Sequence, residues 1–213
     1  GVDLIELQIP FSEPMADGPV ILHANQKALA AGSTVVRCFE VAALLAKKHP
    51  SVPFLFMSYY NIVFKRGLEK FARDTRAAGL RGAIIPDVPH EEGADLLQAM
   101  NAEELETIML FSPNTSSARM SEIADHSQGF VYCIARKGVT GDNTDFAALD
   151  QYLERCKSAT DLPLAVGFGV KDASDVNTLK GKADVVVVGS QTIKVMDAQG
   201  VNAVAPFIRS LRA

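Results

Sequence analysis

Cysteine is scarce, basic charge is not in excess, and long apolar runs are missing; each shortage closes off a class of protein. The three cysteines (Cys38, Cys133 and Cys156) are odd in number and far apart. That suits reduced thiols in a cytoplasmic protein better than a disulfide framework or a zinc site. A formal net charge of −4 leaves no basic footprint for a nucleic-acid backbone or an anionic membrane. No apolar run reaches the ~18 residues that a membrane span requires. No G-x-G-x-x-G follows an early strand-like run, which weakens a dinucleotide-binding reading. The four histidines (His23, His49, His90 and His126) are scattered and show no metal-ligand spacing, so no metal site is expected. A signal-peptide pattern is also missing, and the chain opens at Gly1 directly into a strand-like segment.

What is present is an ordinary globular balance, 48% hydrophobic and 22% charged over 213 residues, enough to bury a core without staples. Strand-like runs at 4–10, 53–58, 82–86, 105–111, 129–135, 163–168 and 183–189 alternate with helix-like stretches. The helical stretches lie near 20–31, 34–48, 66–78, 90–101, 117–125, 146–159 and 172–180, with a last one near 201–211. Ser117, Asp145 and Asp172 read as N-caps, and Gly32 and Gly79 as helix stops. No linker-like stretch interrupts the pattern, so residues 1–213 read as one domain. Short apolar strands alternating with helices imply a parallel sheet covered by helices. A doubly wound sheet and a TIM (β/α)8 barrel both satisfy this, and the regular spacing with glycine-bearing exits from the last strands favours the barrel. Seven parallel strands leave that barrel one short, as if its N-terminal βα unit were lacking.

Alternation along residues 4–10 turns Ile5, Leu7 and Ile9 to one face and Glu6 and Gln8 to the other. With the aliphatic face under the helices, Glu6 points into the interior, where a carboxylate is costly unless paired or functional. A buried Arg or Lys satisfying it is the structural alternative. The loop that follows carries Ser12, Glu13 and Asp17, and lies where such barrels place their active sites. Asp17-Gly18-Pro19 also reads as a turn opening a helix with Pro at its first position. Near the other end, GFGV (167–170) and GSQTI (189–193) leave two successive strands for helices. Glycines there let backbone amides approach an anion, with helix 190–196 short enough to be the extra phosphate-binding helix; tight turns alone are the other reading. Residues 132–145 combine Tyr132 with a long polar segment in which Thr140 and Gly141 could reach a phosphate or a carboxylate. Met57, Tyr59, Tyr60 and Phe64 read either as core or as the lining of an aromatic pocket.

Several of these segments together resemble the tryptophan synthase α subunit family. The segments are IELQIPFSEPMADGP (5–19), YYNIVF (59–64), IIPDVP (84–89), FSPNTS (111–116), ARKGVTG (135–141), GFG (167–169) and VVGSQTIK (187–194). They are collinear with that family over essentially the whole chain, and the first and fifth are highly specific. The resemblance implies a (β/α)8 barrel and a lyase that cleaves indole-3-glycerol phosphate to indole and glyceraldehyde 3-phosphate by a retro-aldol reaction, in tryptophan biosynthesis. It implies Glu6 and Asp17 as catalytic residues and Met57, Tyr59, Tyr132, Thr140 and Phe168 in the substrate pocket. Gly141, Gly169, Gly189 and Ser190 match the phosphate site. No cofactor is implied for this chain; pyridoxal phosphate belongs to a partner β subunit, in an α2β2 assembly.

Two departures stand out. Many family members have Gly where this chain has Gln8, and the larger amide is expected to hydrogen-bond Glu6 or narrow the pocket. Glu13 stands where the family usually has Asp, in a loop implicated in signalling to the β subunit. The family also has a further helix, strand and helix before the position matching Gly1, so residues 4–10 and 183–189 are expected to be sheet edges, and the isolated chain a weak or inactive enzyme. One alternative is such an inactive fragment, which only docks to and activates a β subunit. The other is a different phosphate-binding barrel enzyme, such as an indole-glycerol-phosphate synthase or an isomerase relative. That would want a catalytic Lys or a different set of carboxylates.

Overall fold

The computed structural model describes residues 1–135, 146–167 and 169–212, without the side chains of 146 and 147. It divides into two compact units, Val2–Ile108 and Met109–Ala213 together with Gly1. Seven parallel strands follow one another in chain order, β1 to β7. As the sequence led us to expect, the first and last strands stand at the ends of that order.

The N-terminal unit holds β1 (Ile5–Gln8), β2 (Phe54–Met57), β3 (Gly82–Ile84) and the first half of β4 (Glu106–Phe111). Register sets Glu6 beside Leu55 and Gln8 beside Met57. The opposite face, with Ile5, Leu7, Phe54 and Phe56, packs into a core closed by Phe39 of α2 (Val35–Lys48) and Phe71 of α4 (Leu68–Ala77). Phe39 lies 4.7 Å from Phe56 and 5.8 Å, edge-on, from Phe71, measured between ring centroids. Burying a ring of this size stabilises the fold by about 1.5–3 kcal/mol. The period-2 alternation in β1 therefore does what it implies. Aliphatic side chains go under the helices, and the polar pair goes to the other face.

Local chemistry accounts for the helix ends. Thr34 caps α2 by accepting the Arg37 amide, and Lys47 and Lys48 sit in its last turn, where the helix dipole favours cations. Pro19 opens α1 (Pro19–Ala30). The helix read near 66–78 forms as α4, and a further helix precedes it. Gly67, at φ +91°, separates α3 (Tyr60–Arg66) from α4. The unexpected α3 has no local cap. The Asp87 carboxylate, 27 positions along the chain, accepts the Tyr60 amide at 2.8 Å. The IIPDVP segment thus secures the exit of the neighbouring strand, a tertiary contact that propensity cannot show.

The C-terminal unit holds the second half of β4, then β5 (Val131–Ile134), β6 (Leu164–Gly167) and the short β7 (Val185–Val186). Helices α5 (Ala94–Ala102) of the first unit, and α6 (Ser117–Ala124), α7 (Phe146–Ala159), α8 (Ala173–Leu179), α9 (Ser190–Gln199) and α10 (Val204–Ser210) of the second, complete the order. The cap of α6 is Ser116 rather than Ser117, because it is the Ser116 hydroxyl that accepts the Arg119 amide. Asp172 caps α8 as expected, accepting from the Ser174 and Asp175 amides; Asp145 lies outside the described residues. Val131, Cys133, Leu164 and Val166 pack with Leu153 and Cys156 of α7 in this unit's core. A hydrogen bond to Cys156, together with burial, pushes the Cys133 thiol far above the usual thiol range, which makes it a packing group and no nucleophile. No single helix among the described residues is long and apolar enough to cross a membrane.

Candidate active site

Glu6 is carried by the middle of β1, on the face turned away from the helix-covered core. Its neighbour in register, Leu55, is apolar and 2% exposed. The Glu6 Oε1 atom is buried and has no hydrogen-bond partner among the described residues. Burial without a compensating charge disfavours the ionised form, and the Glu6 pKa rises from 4.5 to about 7. Among the described residues no Arg or Lys pairs with this carboxyl, so none of them supplies the neutralising partner that the structural alternative calls for.

Asp17 has a different setting. A turn closed by the Asp17 amide on the Pro14 carbonyl, at 3.1 Å, brings it back towards the strands just before α1 begins. Its Oδ2 accepts two hydrogen bonds, from the Gln8 amide at 2.7 Å and from the Tyr59 hydroxyl at 2.9 Å. Tyr59, 1% exposed, also accepts the Ala16 amide at 3.1 Å and stacks on Phe11 with 5.3 Å between ring centroids. Burial, and then the hydrogen bond and charge of Asp17, hold the Tyr59 hydroxyl well above the usual phenol range, so it remains a donor. The expected Gln8–Glu6 hydrogen bond is not made. The amide reaches the loop carboxylate instead, and Glu6 Oε1 is left without a partner among the described residues. The turn reading and the functional reading of Asp17-Gly18-Pro19 both hold, for the same residues open a helix and present an acid. Met57, half-buried, follows in register beside Gln8.

In the C-terminal unit, Tyr132 lies half-buried on β5 over Gly167 of β6. A Cβ at Gly167 would stand 2.7 Å from the Tyr132 hydroxyl oxygen and 3.1 Å from its ring. This dependence was not visible in GFG read as a phosphate motif. Gly167→Ala is expected to displace the ring at a cost of about 1–3 kcal/mol, read as a lowered melting temperature; an unchanged melting curve would refute the close packing. Gly169 has φ +76°, a conformation suited to glycine, and no described residue crowds its Cβ position. Gly189 precedes α9, and among the described residues nothing crowds its Cβ position and no side chain caps that helix. Ser190 is its first residue. Backbone amides at an uncapped helix start, with glycine before them, suit an anion. The helix is longer than the 190–196 read from the sequence, running to Gln199. Thr140, Gly141 and Phe168 lie outside the described residues. Among the described residues no cluster of His, Cys, Asp or Glu is placed to hold a metal ion.

Residues that sequence reasoning did not single out complete the N-terminal half. Asn25 of α1, 4% exposed, accepts the Phe11 amide through Oδ1 at 3.4 Å, and its Nδ2 is buried without a partner among the described residues. Ser58, fully buried at the exit of β2, likewise keeps an unpaired hydroxyl. Only their closeness to Asp17 and Tyr59 in the sequence hinted at them.

The family model described as tryptophan synthase alpha chain matches residues 1–208. The tryptophan synthase alpha chain of Syntrophotalea carbinolica is 60% identical over 213 residues, which is all of this chain and 84% of that one. That of Desulforapulum autotrophicum is 58% identical over 212 residues, covering 99% and 83% respectively. Among solved structures, tryptophan synthase from Mycobacterium tuberculosis in an aminoacrylate-bound form superposes with a TM-score of 0.89 at 30% identity, over 99% of this chain and 80% of that one. A mutant tryptophan synthase alpha-subunit from Pyrococcus furiosus gives 0.89 at 31% identity, over 98% and 86%. With a half-buried glutamate of raised pKa on the first strand and an anchored aspartate on the loop after it, the chain belongs to the tryptophan synthase alpha chain family, lyases built on the TIM-barrel fold.

Proposed function

We propose that this chain cleaves indole-3-glycerol phosphate to indole and glyceraldehyde 3-phosphate, with Glu6 as the general base and Asp17 as the electrostatic stabiliser. The observation that carries this reading is the contrast between the two acids: Glu6 half-buried, with its Oε1 buried and unpartnered among the described residues and its pKa at about 7, and Asp17 held by two donors. A base works best when its pKa lies near the working pH. Protonation of the indole ring at C3 creates a positive charge shared with the ring nitrogen. The Asp17 carboxylate accepts the N–H and stabilises that charge. Glu6 takes the proton from the glycerol hydroxyl next to the ring. The oxygen's electrons then form the aldehyde carbonyl, and the pair of the breaking carbon–carbon bond returns to the ring. Glu6 also carries the proton that reaches C3. The indole is its own electron sink, so we assign no cofactor to this chain.

The remaining assignments follow the same reading. Gly169, Gly189 and Ser190, with Gly141, bind the phosphate through backbone amides, far from the reacting bond, so that its binding free energy holds the substrate in place. Met57, Tyr59, Tyr132, Thr140 and Phe168 line the indole pocket. The family match spans both compact units, which supports reading residues 1–213 as one domain. Membership of the family gives the chain a β-subunit partner; we infer an α2β2 assembly, with pyridoxal phosphate on the β subunit. Glu13 and Met15, both exposed and the latter 83% so, stand on the loop that would face that partner. Free thiols at Cys38, Cys133 and Cys156 support a cytoplasmic location.

The test is release of indole and glyceraldehyde 3-phosphate from indole-3-glycerol phosphate, with and without a β subunit. Turnover that rises when the β subunit is added is the expected result. A silent chain that still raises β-subunit turnover would establish a docking partner without catalysis, and would overturn the mechanism.

A further inference from the structure

We propose that Gln8 is a positioning residue for Asp17: its amide grips one carboxylate oxygen so that the other is presented to the indole N–H. This rests on the role given to Asp17 above. The Gln8 Nε2 donates to Asp17 Oδ2 at 2.7 Å, shorter than the Tyr59 contact to the same atom. The two donors come from neighbouring paired strands, Gln8 from the end of β1 and Tyr59 just beyond β2. A carboxylate on a loop can turn about its side-chain bonds. One donor at the end of β1 and one two residues past β2, at the start of α3, fix its plane and commit Oδ2, leaving Oδ1 for a ligand donor.

The amide also discriminates between the two acids on its side of the sheet. Gln8 shares a strand face with Glu6, two residues away, yet its amide is spent on Asp17, and Glu6 Oε1 has no partner among the described residues. Pairing Glu6 with this donor would favour its ionised form and weaken it as a base. The glycine common at this position in the family can supply no such donor, so the device belongs to this chain and to relatives that carry an amide here.

Equilibrium binding of two probes tests the proposal: 3-(indol-3-yl)propyl phosphate, and its benzothiophene counterpart of the same shape without an N–H. The unsubstituted chain is expected to prefer the indole compound by about tenfold or more, the scale of a hydrogen bond to a charged group. Gln8→Met keeps the side-chain length and removes the donor. It is expected to lower affinity for the indole compound about tenfold while the benzothiophene affinity holds. Gln8→Glu, which sets an acceptor against Asp17, is expected to lose the preference as well. If both affinities fall together, Gln8 is only a packing residue and the proposal is overturned. If the preference survives in both variants, the proposal fails and the role of Asp17 stands. If the unsubstituted chain shows no preference, or binds neither probe, the role of Asp17 fails first.

Discussion

Replacing Glu6 by Gln is expected to abolish indole formation, with a fall in kcat of about 10²–10⁴, and at the same time to make the chain more stable above neutral pH. Both effects have one cause. The carboxyl is held in a site that does not solvate its charge, so its pKa lies at about 7 in the folded chain against an ordinary 4.5. Below the lower value both folded and unfolded chains carry the proton, and the site costs nothing. Between the two values the folded chain keeps a proton that the unfolded chain has lost, so stability falls as pH rises. Above the upper value the loss is complete, about 3 kcal/mol. The amide that replaces the carboxyl in Glu6→Gln does not titrate, so the gap in melting temperature between variant and parent should widen from about pH 4.5 to about pH 7 and then level off. For a chain of this size the widening is roughly 6–12 °C. Thermal unfolding at about pH 4, 5.5, 7 and 8.5, values that bracket both ends of the titration, reads it directly. A gap that is the same at every pH would show that Glu6 is not desolvated. In the same range, kcat/KM of the parent should hold below about pH 7 and fall above it, because Glu6 must carry the proton for C3 before it takes the one on the glycerol hydroxyl.

Asp17→Asn is the second large effect, a loss of about 10²–10³ in kcat, on the scale of removing one group aimed at transition-state charge. Size is preserved, so the deficit comes from what the amide must do with its two ends. Gln8 and Tyr59 both donate to Oδ2. An asparagine that keeps these two bonds turns its oxygen to them and its NH2 outwards, donor against the donor of the indole ring. One that turns the other way offers an oxygen to the ring but sets its NH2 against two donors. Neither orientation serves. The charge to be stabilised develops as the ring is protonated, so kcat should fall much further than KM rises. A variant with kcat near that of the parent and only KM altered would make Asp17 a binding group, and would refute its part in the chemistry.

Much of this was legible in the sequence because β1 alternates cleanly. Ile5, Leu7 and Ile9 against Glu6 and Gln8 can be satisfied in only one orientation when helices cover one face, and that orientation puts the acid on the other. A helix start with a local cap was readable too, as at Asp172. What escaped depends on partners far along the chain. Helix α3 starts on Asp87, so nothing near Tyr60 announces it. The Gln8 amide had two acids within reach of its sequence neighbourhood. Which of them it bonds is decided by the turn at 14–17, and turns are set by tertiary contacts as much as by residue type. The space at Gly167 is likewise defined by a ring on the next strand.

The Tyr59 hydroxyl, accepting from Ala16 and donating to Asp17, fastens the loop to the strand at two adjacent residues. The loop's freedom is therefore surrendered once, during folding, and need not be surrendered at each encounter with a ligand. Capture is then governed by diffusion into an already arranged half-site rather than by waiting for a rare conformer. Loosening that fastening would slow arrival more than it hastens departure.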